Sequence, residues 1–164
     1  MSITLPNWLS LGFVLLAAGC QFDPYADLFT TELPKSVNLV GRYVLTSQMV
    51  NDAGLAALNG KPCEIELRAD GSFSATNVLA KGVDSPAPNF FLTLVSGTGT
   101  WEPTSVGSIS DGFGPSKTLW GVGFDSSAGA FESVGLTGSG PPYGLIYTIG
   151  DPDAGDAMIF ERAK

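Results

Sequence analysis

Three carboxylates near the C-terminus form the first group of side chains in this sequence that could do chemistry. Asp151, Asp153 and Asp156 lie within six consecutive residues, and Ca²⁺ prefers several oxygen ligands on a tight turn. A calcium loop of the EF-hand type has glycine at its sixth position and a carboxylate at its twelfth. Counted from Asp151, glycine is fifth and Arg162 is twelfth. We therefore predict an acidic, solvated hairpin turn here, with no metal and no other cofactor.

Glu64 and Glu66 form a second pair of carboxylates, on one side of a predicted strand. Glycoside hydrolysis uses two carboxylates at a defined separation inside a cleft. These two glutamates instead occupy the polar side of an alternating strand, and Arg68 is next in the same row. The pattern predicts a solvent-facing surface and not an acid/base pair.

The chain contains no histidine. This composition excludes Ser-His-Asp and Cys-His catalysis, histidine-ligated zinc and imidazole general-base chemistry. No other nucleophile motif is present in the sequence. We therefore predict that the protein is not an enzyme and that it has no catalytic residues.

The N-terminus has the pattern of an export signal. Residues 1–19 carry no charged side chain, and an apolar run from Leu9 to Gly19 ends directly at Cys20. The run is shorter than the roughly 20 residues of a membrane-spanning helix, but it has the length of the apolar region of a secretory signal. The sequence Leu-Ala-Ala-Gly-Cys at 16–20 resembles the lipobox of bacterial lipoproteins. That resemblance implies removal of residues 1–19 and a diacylglyceryl group on Cys20.

An ordinary signal peptide is the alternative interpretation, with cleavage near Ala17–Gly19 and an unmodified Cys20. A disulfide between Cys20 and Cys63 then becomes possible in an oxidising compartment. Cys63 lies on the apolar side of its strand with Ile65 and Leu67, which predicts a buried structural thiol. Gln21, where an aspartate would favour the inner membrane, implies by resemblance to diderm lipoproteins an anchor in the outer membrane. The barrel would then face the periplasm or the cell surface.

The charge of the chain limits the choice of partners. All 16 acidic and all eight basic residues follow residue 19, so the mature part has a net charge of −8. This charge disfavours nucleic acids and anionic lipid surfaces, because both require patches of Lys and Arg. The partners we expect are the membrane, through the lipid on Cys20, and an envelope protein or a small apolar ligand.

The rest of the chain has the pattern of a small all-β domain. Residues 20–36 contain Pro24 and Pro34 and no sustained period, which predicts a short tether. From residue 37 to 164, eight or nine short strands alternate with turn signals, the signature of a sandwich or barrel. Asp70-Gly71 is the strongest hairpin signal. Strands are predicted over Gly41–Met49, Cys63–Arg68, Ser72–Thr76, Asn89–Val95, Gly97–Glu102, Lys117–Asp125, Ala130–Leu136, Tyr143–Ile149 and Ala157–Arg162, with a loop over Thr104–Ser116.

The order of these pieces resembles the lipocalin-like lipoproteins of bacteria. A strand starts with Gly41-Arg42-Tyr43, an alternating hairpin covers Glu64–Phe73, a Gly-x-Trp strand lies at Gly99–Glu102, and a closing strand follows an acidic turn within Asp151–Arg162. The resemblance implies a single antiparallel barrel of about eight strands. Such a barrel is either filled by side chains or holds one small ligand.

The aromatic residues of this barrel are the candidate contact residues. Those in strands form either a core or the wall of a ligand cavity: Trp101, Trp120, Phe124, Phe131, Tyr143 and Tyr147. Phe113 and Tyr143 lie in or beside Gly/Pro-rich loops, where exposed aromatic side chains are typical of binding surfaces. In an up-and-down barrel the loops at 104–116 and 137–142 share one end. We therefore predict ligand or partner contacts at Phe113, Tyr143, Trp101 and Trp120.

Two functions fit this sequence. The first is a membrane-anchored envelope lipoprotein that is a non-enzymatic binding module for a protein or cell-wall partner. The second is a lipocalin-like carrier of a small hydrophobic ligand inside the barrel.

Overall fold

The chain forms one closed β-barrel. Its computed structural model describes residues 24–49, 56–81, 92–110, 114–126, 133–149 and 156–164. Each strand pairs with the next in antiparallel fashion, and the eighth pairs with the first, which confirms the predicted all-β barrel. The strands are β1 (Gly41–Met49), β2 (Glu64–Leu67), β3 (Ser72–Lys81), β4 (Leu92–Ile109), β5 (Lys117–Ser126), β6 (Ser133–Thr137), β7 (Gly144–Thr148) and β8 (Ala157–Arg162).

Very little of the described chain is helical. Two 3-10 helices precede β1, η1 (Ala26–Leu28) and η2 (Ser36–Asn38), and a helical turn covers residues 56–58. None of the helices in the described ranges has the length and apolar character needed to cross a membrane.

Alternation of apolar and polar residues determines which side chains face the interior. In β2, Ile65 and Leu67 are buried, whereas Glu64 and Glu66 are only partly covered, because successive side chains of a strand point to opposite faces. All eight strands contribute to the resulting interior core, which includes Tyr43, Ile65, Leu67, Phe73, Trp101, Val122, Leu136, Leu145, Met158 and Phe160.

Strand β4 is longer than the sequence pattern predicts. The strands expected at 89–95 and 97–102 belong, as far as they are described, to one strand, and the loop expected at 104–116 begins inside it. Residues 104–109 pair with β5, from Thr104 opposite Gly121 to Ile109 opposite Lys117. Glycine is required at position 121, because a Cβ there would overlap the carbonyl oxygen of Val134 in β6 and the side chain of Val106 in β4. Residues 104–109, which contain β-branched residues among glycine and serine, are therefore part of a strand, and the loop prediction is wrong for them.

Residues 24–40, here called the N-terminal segment, pack against the barrel. Tyr25 and Phe29 join Ile146, Ala157 and Ile159 in an apolar cluster separate from the interior core, here called the outer cluster. The tether predicted at 20–36 is therefore corrected for its described part, because its aromatic residues have an apolar surface to cover. Residues 20–23 lie outside the described ranges.

The strand order assigns each connection to one end of the barrel. The end here called the capped end holds the start of β1, the β2–β3 turn, the β4–β5 and β6–β7 connections and the end of β8. The N-terminal segment enters β1 at this end. The loops at 104–116 and 137–142 lie within the β4–β5 and β6–β7 connections or beside them, so they share an end, as predicted.

Candidate functional site

Trp101 is held beside the β2–β3 turn at the capped end. Its indole Nε1–H donates to the carbonyl oxygen of Arg68 at 3.0 Å, and its backbone N–H donates to the carbonyl oxygen of Gly71 at 2.8 Å. The side chain is 8% exposed and belongs to the interior core. These two hydrogen bonds fix a large aromatic residue at a place where the core reaches the surface.

An apolar groove of about 330 Å³ opens beside this residue and is here called the Trp101 groove. Three parts of the chain form it: the N-terminal segment, the β2–β3 turn and the middle of β4. Its lining residues are Ser36, Val37, Val40, Ala69, Gly71, Trp101, Glu102 and Pro103. Mostly apolar walls with a few polar groups are typical of sites that bind a small apolar group or a side chain of a partner.

Asp70 fixes the turn that forms one wall of the Trp101 groove. Its Oδ1 accepts hydrogen bonds from the backbone N–H of Ser72 at 2.9 Å and from the hydroxyl of Ser72 at 2.7 Å. The same hydrogen bonds hold the pKa of the Asp70 carboxyl below its usual value. Gly71 adopts φ +82°, which glycine tolerates without strain. The predicted Asp-Gly hairpin turn is thus confirmed.

Arg162 and Tyr43 join the N-terminal segment to the barrel at the other wall. The guanidinium of Arg162 donates from Nη2 to the carbonyl oxygen of Val40 and from Nη1 to that of Asn38, the latter at 3.4 Å. The hydroxyl of Tyr43 donates to the carbonyl oxygen of Leu39 at 2.7 Å. Burial raises the pKa of Tyr43 to about 12 despite the nearby positive charge of Arg162, so this hydroxyl stays protonated and keeps donating at neutral pH.

Thr30 inserts the N-terminal segment between strands β5 and β6. Its backbone N–H donates to the carbonyl oxygen of Leu136 at 2.9 Å, and its own carbonyl accepts from the backbone N–H of Trp120 at 2.9 Å. Its hydroxyl donates to the carbonyl oxygen of Gly138 at 2.6 Å. Because β5 and β6 pair over only three positions, Gly121–Gly123 with Ser133–Gly135, this insertion extends the closed sheet toward the capped end.

Tyr143 is not the exposed loop aromatic that the sequence predicts. Its side chain is 6% exposed and packs in the interior core, because the residue lies at the point where the β6–β7 connection turns back into the barrel. A second groove, of about 310 Å³, passes beside it, and Glu161 and Arg162 also line this groove. Phe113 lies outside the described residues, so an aromatic rim built from both residues stays a prediction.

The other aromatic residues of the strands pack in the interior. Trp120 is half-buried against the interior core, as are Phe124 and Tyr147. The rings of Phe73 and Phe124 meet with centroids 4.6 Å apart at an angle of 48°, which is a favourable tilted arrangement. Phe131 lies outside the described residues. Of the predicted contact residues that the structure describes, Trp101 lines the Trp101 groove and Tyr143 lines the second groove.

The carboxylates of β2 form ion pairs on the outer face of the barrel. Glu64 accepts from Arg42, and Glu66 accepts from Arg68, whose Nη2 also donates to the hydroxyl of Ser74 at 2.7 Å. These partners agree with the predicted solvent-facing row. Within the described ranges, no group of three His, Cys, Asp or Glu side chains is close enough to hold a metal ion. The acidic turn at 151–155 lies outside these ranges.

Cys63 is a buried thiol, as its place in the alternating strand predicts. Its side chain belongs to the interior core, and burial, with a smaller effect from the charge of Glu64, raises the pKa of the thiol to about 12. It is free among the described residues, and Cys20 lies outside them. A thiol that stays protonated at neutral pH is a poor nucleophile, so Cys63 acts as a packing residue.

Sequence reasoning missed most of the Trp101 groove. Val37, Val40, Ala69 and Pro103 come from three separate parts of the chain, and no short motif connects them. One signal was present in Leu33 of the predicted tether and in Val37 directly after it, because a solvated linker does not need apolar residues.

No protein-family model matches this chain, and comparisons with curated proteins and with solved structures found no significant match.

Proposed function

We propose that this protein is a membrane-anchored envelope lipoprotein, held by lipid on Cys20, and that its barrel is a non-enzymatic binding module for a protein or cell-wall partner. The anchor rests on the apolar run that ends in Leu-Ala-Ala-Gly-Cys at residues 16–20. The resemblance to lipocalin-like lipoproteins, which the closed eight-stranded topology suits, supports the same assignment.

The Trp101 groove is the observation that carries the binding role. It is apolar, its volume is about 330 Å³, and hydrogen bonds hold each of its walls. Binding energy at protein interfaces concentrates where an anchor side chain fills a preformed, desolvated pocket. We infer that an aliphatic or aromatic group of the partner enters this groove.

A carrier of a small hydrophobic ligand is the alternative function. An eight-stranded barrel is wide enough to hold one small ligand. Against this, large side chains fill the described interior, including Tyr43, Phe73, Leu145, Met158 and Phe160, each less than 2% exposed. This packing supports the binding module over the carrier.

The test begins with the intact mass of the protein extracted from its native membrane. A mature chain that starts at Cys20 and carries diacylglyceryl and acyl mass supports the anchor, and a chain without lipid contradicts it. Mass spectrometry of an organic extract of the same sample addresses the carrier: an equimolar apolar molecule would favour it.

Crosslinking then tests the groove in cells. We place a photoreactive residue at Ala69, which is exposed and lines the groove, and for control at Thr98, which is exposed on β4. We expect crosslinks to one envelope component from position 69 only, and their loss when Val37→Glu introduces a charge into the groove wall. Equal crosslinking from both positions, or crosslinking unaffected by Val37→Glu, would exclude the groove as the site.

A further inference from the structure

Exposed apolar side chains are concentrated in the N-terminal segment. Among the described residues, the large hydrophobic side chains that are clearly exposed are Leu28 at 43%, Leu33 at 65% and Val37 at 71%. All three fall within ten consecutive residues. Single exposed apolar side chains are common on protein surfaces, but a group of them in one place indicates an interaction surface.

These side chains are held in place by the packing around them. Thr30 is inserted between β5 and β6, and Pro34 and Leu39 are buried on the barrel side of the segment. Short runs of mostly exposed residues separate these buried ones, and Leu33 and Val37 belong to those runs. Their exposure therefore belongs to the folded barrel and not to a free linker.

The anchor position brings this surface close to a membrane. Tyr25 is packed in the outer cluster with Ile146 and Ala157, and only five residues lead from Cys20 to Tyr25. Five extended residues span at most about 18 Å. A lipid on Cys20 would thus keep Tyr25 within that distance of the bilayer, and Leu28 follows three residues later.

The charges around the exposed residues favour an apolar contact. Asp27 and Glu32 are acidic, Lys35 is basic, and the whole mature chain is strongly acidic. Attraction to anionic lipids needs clusters of Lys or Arg, which this segment lacks. Apolar side chains, in contrast, enter the boundary between headgroups and acyl chains of neutral lipids.

We propose that Leu28, Leu33 and Val37 form the surface by which the barrel rests on the bilayer that holds its anchor. This inference rests on the lipid anchor of the proposed function and adds an orientation to it. The capped end lies toward the lipid, and the Trp101 groove, of which Val37 is one wall, opens along the bilayer surface. A partner that fills the groove is then one that lies on or in the same membrane.

The test uses the full-length, lipid-modified protein in vesicles of neutral phosphatidylcholine, with and without bromine-substituted acyl chains. Leu33→Cys provides a site for a polarity-sensitive dye, because the thiol of Cys20 is consumed by the lipid and the buried Cys63, with its pKa raised to about 12, does not react. Thr93→Cys is the matched control, since Thr93 is exposed on β4 at the opposite end of the barrel.

We expect blue-shifted emission at position 33 that the brominated lipids quench, and neither effect at position 93. Emission at position 33 that brominated lipids leave unchanged, in protein that still floats with the vesicles, would overturn the inference and leave the anchor in place. A blue shift without quenching, together with dimers in sedimentation, would assign the surface to a second copy of the chain. Protein that carries no lipid and does not float would remove the proposed anchor and this inference together.

Discussion

The outside of this barrel has two faces of opposite character. On β1–β3 most outward side chains are polar, and four of them form the pairs Arg42–Glu64 and Glu66–Arg68. On β6–β8 they include Gly135, Ile146, Ala157 and Ile159, which the N-terminal segment covers with Tyr25 and Phe29. The first face is in contact with solvent, whereas the second is covered by the N-terminal segment as an additional layer. This layer is formed by the segment that begins a few residues after Cys20, the position of the proposed anchor.

The largest expected difference between the two faces is that between the substitutions Ile146→Ala and Val44→Ala. Ile146 is 1% exposed in the outer cluster, and Val44 lies opposite Glu64 on the charged face, where it is half-buried. We expect Ile146→Ala to lower the free energy of unfolding by about 3 kcal/mol and Val44→Ala by about 1 kcal/mol. Urea unfolding measures both. Equal losses would mean that the N-terminal segment does not cover β7 in solution.

Gly135→Ala tests how closely the N-terminal segment approaches the barrel. A Cβ at this position would overlap the ring of Phe29, so we expect a loss of about 2 kcal/mol. Gly107→Ala is the control, because the nearest side-chain atom there is 3.9 Å away and little change is expected. Adding Phe29→Ala to Gly135→Ala should cost less than the sum of the two single changes. Strict additivity would contradict the contact.

Thr30→Val removes one hydrogen bond from the insertion between β5 and β6. The side chain is 1% exposed, and its hydroxyl donates to Gly138 at 2.6 Å. Valine keeps the shape but leaves the carbonyl of Gly138 without this donor, so we expect a loss of about 1 kcal/mol. Earlier proteolytic cleavage in the N-terminal segment should accompany it. A variant with unchanged stability and cleavage would show that the backbone bonds alone hold the insertion.

The smallest effect is expected on the charged face. Glu64→Gln removes the charge that pairs with Arg42, but the arginine side chain is 58% exposed. Such pairs contribute about 0.5 kcal/mol or less, and roughly 1 M salt should abolish the difference from the unmodified chain. A loss as large as that of Ile146→Ala would show that the two faces contribute equally to stability.

The sequence predicts the charged face better than the covered one, for a physical reason. Apolar and polar residues alternate strictly over Cys63–Arg68, so the sequence alone predicts which face of the sheet each side chain occupies. The stretches Leu145–Tyr147 and Ala157–Phe160 are continuously apolar, which is typical of strands covered on both faces. That pattern predicts that a further layer covers these strands. It does not show which residues form the layer, because they lie more than a hundred positions earlier in the chain.

Local sequence patterns likewise predict only those parts of the candidate site that do not depend on contacts with distant segments. Trp101 stood out as a large aromatic residue in a strand, and its position beside the Asp70-Gly71 turn follows from the pairing of β3 with β4. The exposure predicted for Tyr143 is wrong, because proximity to a Gly/Pro loop does not determine whether a side chain turns into the barrel. The contribution of Val37 to the groove depends on the path of the N-terminal segment, which no local pattern encodes.

The insertion of Thr30 also has a consequence for the order of folding. The hydroxyl of Thr30 bonds a residue 108 positions later in the sequence, so the N-terminal segment cannot dock until β5, β6 and the β6–β7 connection have formed. Contacts of such long separation form late, because the closure of a long loop must precede them. In the export that we propose, the N-terminus would therefore be among the first parts to leave the membrane channel and among the last to fold. The lipid attachment that we propose for Cys20 would then take place before the N-terminal segment docks on the barrel.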